Sequence, residues 1–169
     1  VLPAISFVGP HNVGKTSLLE KIVARLDGMG VRVGLIKHAP GGFDLGGEGK
    51  DSARLYRAGA QAVVLATSGC IAHYRRTRGE VPLAELLESL AGEVDLVIVE
   101  GFKQEGLPKV EVLRREVTSV PLGVDNLVAV VADFPLPEGE VPTFDLQDVA
   151  GLTAFILRAC GLREPDHGG

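Results

Sequence analysis

Apolar residues fall along this chain in short solid blocks, and the blocks alternate with stretches in which they recur every three or four positions. Ala4–Val8 (AISFV) is apolar except at Ser6 and predicts a buried strand. From Lys15 to Leu26 the apolar positions Leu18, Leu19, Ile22, Val23 and Leu26 sit at helical spacing and predict a helix. VRVGLI (Val31–Ile36), AVVLAT (Ala62–Thr67), DLVIVEG (Asp95–Gly101) and LVAVVAD (Leu127–Asp133) read as further strands. DSARLYRAGA, beginning at Asp51, and DVAGLTAFIL (Asp148–Leu157) read as helices. Strands this uniformly apolar, separated by helices, imply a parallel sheet covered on both faces. CIAHYRR (Cys70–Arg76) and PKVEVLRR (Pro108–Arg115) alternate apolar with polar and predict exposed edge or hairpin strands. The expected fold class is therefore α/β and three-layered: a mostly parallel sheet, helices on both faces, and one or two edge or hairpin strands.

One break in this rhythm carries chemistry. After the first strand, GPHNVGKT (Gly9–Thr16) fits the pattern G-x-x-x-x-G-K-[ST] at every fixed position, with a strand before it and a helix after it. Gly9 and Gly14 let the backbone turn tightly and aim N–H groups inward. The positive end of the following helix adds to that field. Lys15 supplies a point charge for the outer phosphates, and the Thr16 hydroxyl is a candidate ligand for Mg²⁺. The expected fold is then that of the P-loop NTPases. The loop residues Gly9, Pro10, His11, Asn12, Val13, Gly14, Lys15, Thr16 and Ser17 form the candidate phosphate site.

Ligands gather at the carboxyl ends of parallel strands, which selects further residues. Glu100 ends DLVIVE and is a candidate metal ligand, directly or through a bound water. Lys37 directly follows a strand, so it too emerges near the phosphates. Asp51 opens a helix, where it can act as a cap, a metal ligand or both. Between Lys37 and Asp51 lies KHAPGGFDLGGEGKD, a loop with five glycines; Asp44 within it is a looser metal candidate, and His38 reads as a hydrogen-bonded loop residue. Asp95 begins its strand at the other end of the sheet and reads as structural. Cys70 and His73 have a C-x-x-H spacing with no second pair to complete a zinc site. Arg75, Arg76 and Arg78 read as a solvated hairpin tip.

Composition narrows the class. At 169 residues, 46% hydrophobic and 23% charged, the chain suits one soluble domain, expected over residues 1–160 with a flexible tail at 161–169. A formal charge of −5 argues against bulk attraction to nucleic acid or anionic lipid. Two cysteines do not make a disulfide framework, and the apolar start VLPAISFVGP has neither a basic lead nor the length of a membrane span. A cytoplasmic protein is expected, without nucleic-acid or membrane partners.

Three stretches together, VGPHNVGKTSLLEKIV, VGLIKHAPGGFDLGGEGKDSARLYRAGA and DLVIVEGFKQEGLPKVEVLR, resemble the MobB family of molybdopterin-guanine dinucleotide biosynthesis adapter proteins. The phosphate loop is widely shared. The combination of IKH, FD, GKDS and R-x-AGA with VEGFK and PK-x-E-x-x-R is more selective and carries the resemblance. It implies a homodimeric GTP-binding accessory protein with Mg²⁺, at most a weak GTPase, that assists the enzyme joining GMP to molybdopterin. Molybdopterin itself is a further candidate ligand. It also implies that Gly14, Lys15, Thr16 and Ser17 hold GTP phosphates. The wider class that includes dethiobiotin synthetase places a lysine, an aspartate and a glutamate where Lys37, Asp51 and Glu100 stand. The competing reading is accordingly an ATP-dependent small-molecule kinase or ligase of that kind, with Lys37 and the pair Asp51 and Glu100 stabilising the transferred phosphoryl group; Lys15 and Lys37 are the catalytic candidates. Only Asp133, in VVAD, remains of the Asn-Lys-x-Asp pattern that reads guanine, and it is the candidate base contact. The histidine-rich loop common in the family is here HAPGGFDLGGEG, with His38 alone.

Overall fold

A computed structural model describes residues 1–42 and 51–163 of the chain. Asp44, most of the glycine loop, and the tail from 164 to 169 lie outside the described residues. In chain order the elements are β1 (Ala4–Val8), α1 (Lys15–Gly28), β2 (Val33–Lys37), α2 (Asp51–Arg57), β3 (Ala62–Ala66), β4 (Ile71–Arg75), α3 (Leu83–Ser89), β5 (Leu96–Glu100), β6 (Lys109–Val112), β7 (Leu127–Ala132), β8 (Thr143–Asp145) and α4 (Val149–Ala159). They divide into two compact units, Val1–His38 with Leu83–Gly169, and Ala39–Pro82.

In the first unit six strands form one sheet in the order β2-β5-β1-β6-β7-β8, every pair parallel. Strand residues alternate between the two faces, so each face has its own core. On one face Ile5, Phe7, Ile98, Val110, Val112 and Val131 meet Leu18, Leu19, Ile22 and Leu26 of α1 and Leu152, Ile156 and Leu157 of α4. On the other, Ala4, Ile36, Val97 and Val99 pack with Leu83 of α3. Leu113, Val130 and Ala132 extend that second face against Phe134, Leu136 and Val141. Each fully buried Ile, Leu or Phe contributes about 1.5–3 kcal/mol of transfer free energy, so the strands are held by both layers at once. Two elements, α3 and β8, are additions to the sequence reading.

The segment read as an exposed edge strand, Pro108–Arg115, is instead β6, hydrogen-bonded between β1 and β7 and buried along its length. Its charged residues alternate, but they do not face water. The Lys109 ammonium donates to the carbonyls of Glu105, Leu107 and Asp125, and the Glu111 carboxylate accepts from the Leu122 N–H at 2.6 Å. Buried charge needs such partners, and here backbone of the loops before and after β6 provides them. Asp95 is structural as expected: at the amino end of β5 it takes a two-pronged grip from the Arg32 side chain and accepts the Arg32 N–H at 2.9 Å. Arg32 holds its carboxyl down to about 2.

The second unit departs from the apolar-strand reading in another way. AVVLA was expected among the parallel strands, but β3 pairs antiparallel with β4 in a separate two-stranded sheet. Thr67 explains the reversal. Its hydroxyl accepts the N–H of Gly69 and of Cys70, and its own N–H donates to the Cys70 carbonyl. So short a connection allows only an antiparallel partner, because parallel strands need a crossover of about a dozen residues. The predicted hairpin character of Cys70–Arg76 holds for β4. Arg76, beyond it, donates to the carbonyls of Ala60 and Tyr56 and lies 4.4 Å over the Tyr56 ring.

Candidate nucleotide-phosphate site

The phosphate loop leaves the carboxyl end of β1 and enters α1. Gly9 is required there by close packing: a Cβ on it would stand 2.6 Å from the Val112 carbonyl oxygen of β6, and its φ is +151°. Gly14 caps α1 in the left-handed region, φ +91°, where a larger residue is strained. Val13 between them is fully buried in the α1 face of the core and anchors the loop.

Two features fit this loop for an anion. No side chain caps the start of α1 and no acidic residue lies in its first turn, whereas α4 is capped by Asp148, whose carboxylate accepts the Gly151 N–H at 2.9 Å. The first amides of α1 therefore keep their unspent donors for a ligand. The Lys15 ammonium bridges back to the carbonyls of Gly9, 2.9 Å, and Pro10, 2.7 Å, and so holds the loop curled. Burial pushes the Lys15 ammonium below its ordinary value; Glu100 opposes that, while the charges of Lys103 and Lys37 add to it. Lys37 and Lys103 thus add positive charge around the Lys15 ammonium, a concentration that a polyanion relieves. Thr16 and Ser17 are exposed on the first turn.

Lys37 and Glu100 are brought together as the strand ends predict. They are paired residues of β2 and β5, with Nζ 3.3 Å from a Glu100 oxygen. A groove of about 480 Å³ along α1 and β2 has Leu19, Val23, Val33 and Leu35 among its apolar walls, and Thr16 and Glu100 supply polar lining. His38 follows, its ring centroid 4.7 Å from that of Phe102. Among the described residues no three His, Cys, Asp or Glu side chains cluster as a metal cage. That is compatible with Mg²⁺, which is held by one or two protein ligands, phosphates and waters. Thr16 and Glu100, on one groove, suit that role.

Two candidates remain, Asp51 and Asp133. Asp51 opens α2 of the second unit, its side chain 90% exposed and 3.5 Å from Arg54. Asp133 follows β7; one carboxylate oxygen accepts the Arg115 N–H at 2.8 Å and the other lies 3.7 Å from Arg114 Nε. Sequence reasoning passed over Lys103, whose charge acts on Lys15, and Arg114, whose guanidinium lies against the phosphate loop. The signal for Arg114 was available as the last residue of PK-x-E-x-x-R, but nothing local said where it points.

A glycine-bounded loop between an inner strand of a parallel sheet and an uncapped helix, with a lysine folded over it, defines a nucleotide-binding protein of the P-loop α/β class. Comparison with known proteins carries this further. Residues 4–133 match the family described as MobB, molybdopterin guanine dinucleotide synthesis protein B, and the chain belongs to that family. It is 35% identical over 165 residues to the molybdopterin-guanine dinucleotide biosynthesis adapter protein of Escherichia coli K12, covering 93% of each chain. To the protein of the same description from Haemophilus influenzae it is 36% identical over 157 residues, covering 92% of this chain and 88% of the relative. Among solved structures, the MobB homolog from Bacillus stearothermophilus superposes with a TM-score of 0.73 at 31% identity, covering 95% of this chain and 99% of that one. Among the described residues no helix is long and apolar enough to cross a membrane.

Proposed function

We propose that this protein is a GTP-binding adapter in molybdopterin-guanine dinucleotide biosynthesis, and that it assists the guanylyltransferase that joins GMP to molybdopterin. The observation that carries the reading is the pre-curled phosphate loop: Lys15 bound to its carbonyls, an uncapped α1 behind it, and Lys37 and Glu100 paired at the neighbouring strand ends. Family membership supplies the pathway, through relatives described as adapters of that biosynthesis. Thr16 and Glu100 would hold Mg²⁺, which when bound neutralises charge on the outer phosphates. Lys15 binds those phosphates, and Lys37 orients Glu100 and adds positive potential beside it.

Hydrolysis is slow in this proposal, because positioning of the attacking water is what such sites need for speed, and none of the groups described so far performs it. The protein works as a homodimer. Leu55, Val64, Leu65 and Ile71 of the second unit support that: all are exposed in the single chain, Ile71 by 71%, and a second copy would cover them.

Calorimetric titration with GTP and with ATP, each with Mg²⁺, tests the assignment. Preference for GTP is the expected result; equal affinity, or preference for ATP, overturns it in favour of a kinase-like enzyme.

A further inference from the structure

We propose that Arg114 is a nucleotide ligand of the phosphate site, contacting the phosphate next to the sugar, and that Asp133 is the residue that aims it. The proposal rests on the phosphate loop binding a nucleotide and adds the group that closes its nucleoside side.

Arg114 stands just past β6, which lies beside β1, so it emerges on the same rim of the sheet as the loop. Its backbone is pinned, the carbonyl accepting the N–H groups of Val117 at 2.9 Å and Thr118 at 2.8 Å. A Cβ built on Gly14 would lie 3.8 Å from Arg114 Nη1. The guanidinium therefore sits against the residue that starts α1, where a bound anion would lie. Its Nε edge faces Asp133 at 3.7 Å, and Asp133 is itself fixed by the Arg115 N–H at 2.8 Å. With the Nε edge held on Asp133, the Nη edge is the one presented to the loop. The neighbouring Arg115 is engaged elsewhere, lying 4.9 Å over the Phe134 ring.

Sheet order decides which phosphate is met. Glu100 on β5 and Lys37 on β2 lie to one side of β1, Arg114 and Asp133 beyond β6 and β7 to the other. Thr16 and Glu100 share one groove, which puts the metal-bearing outer phosphates toward β5. The nucleoside end then runs toward β6. A guanidinium presents two parallel donors to a phosphate, which an ammonium cannot do. Asp133, the remnant of a guanine-reading pattern, is thus a positioning residue for Arg114.

The test is titration of the full chain with GTP and with GDP, in Mg²⁺, for wild type, Lys15→Ala, Arg114→Ala, Arg114→Lys and Asp133→Asn, beside the unliganded thermal midpoint of each. Arg114→Ala weakens GTP and GDP by the same factor, roughly ten- to a hundredfold for a charge-assisted pair. Arg114→Lys recovers part of that loss while keeping the charge beside Asp133. Asp133→Asn weakens binding in the wild-type background and adds nothing in the Arg114→Ala background, an effect that a merely structural latch would not show. If Arg114→Ala binds both nucleotides like wild type while Lys15→Ala does not, the Arg114 proposal falls and the phosphate site stands. If only GTP binding suffers, Arg114 acts at the outer phosphates and the placement is overturned. If wild type binds neither nucleotide, or Lys15→Ala binds as wild type, the underlying site reading itself fails.

Discussion

LVIVE of β5 and AVVLA of β3 are both five-residue apolar strands, and the protein treats them in opposite ways. In β5 the first four residues are fully buried between two layers of side chains, and the fifth, Glu100, emerges at the site. In β3 only Val63 is partly covered, and Val64 is 60% exposed. The first unit completes its core from its own chain and spends its strand ends on chemistry. The second keeps apolar surface in reserve. An apolar strand sequence does not by itself say whether its own chain will cover it.

If the chain dimerises as proposed, nucleotide binding and self-association can be damaged separately, and the sharpest way to break the comparison is in the first unit. Lys15→Ala removes the ammonium that spans the loop carbonyls and meets the ligand. GTP affinity should fall roughly a hundredfold, the scale of a charge-assisted hydrogen bond, with the far-ultraviolet circular dichroism and the oligomeric state unchanged. Tight residual binding in calorimetry would reject the loop as the phosphate cradle.

The complementary cut is Ile71→Glu in the second unit. A charge on a side chain that a partner must bury costs several kcal/mol in the assembled state and almost nothing in the free chain. Analytical ultracentrifugation should show the dimer dissociating at least about tenfold more readily, while the monomer retains GTP affinity. A dimer as tight as wild type would place the interface elsewhere.

Legibility in the sequence follows the range of the interactions. The phosphate loop could be read because its chemistry is local: the amides, the lysine and the hydroxyl are neighbours in the chain. Lys37 and Glu100 could be read because an apolar strand has a polar end and parallel strands share a rim. The position of β6 could not, because Lys109 and Glu111 announce exposure and are instead held inside by carbonyls and an N–H from loops up to 16 residues away. Arg114 was missed for a related reason: its approach to Gly14 exists only because β6 lies next to β1. In the same way, Thr67 decides that β3 turns back into a hairpin, which the apolar run before it does not reveal.

Glu111 offers the finest test of how completely the first unit closes its core. One of its oxygens accepts from Leu122, and the other is buried without a partner among the described residues. Burial pushes its carboxyl above the ordinary value, against the opposing pull of the Leu122 N–H and of the Lys103 charge. An acid whose affinity for protons is higher in the folded state binds more of them there, so stability declines as pH rises. The contribution is complete below the ordinary glutamate value of about 4.3 and is lost as pH climbs through the raised one. Glu111→Gln keeps an oxygen for Leu122 and cannot ionise. Its thermal midpoint should stay flat across that window while the wild type falls, the two curves drawing apart as pH rises. Parallel curves would mean that Glu111 is not the titrating group and that the second face of the sheet is less dry than its packing implies.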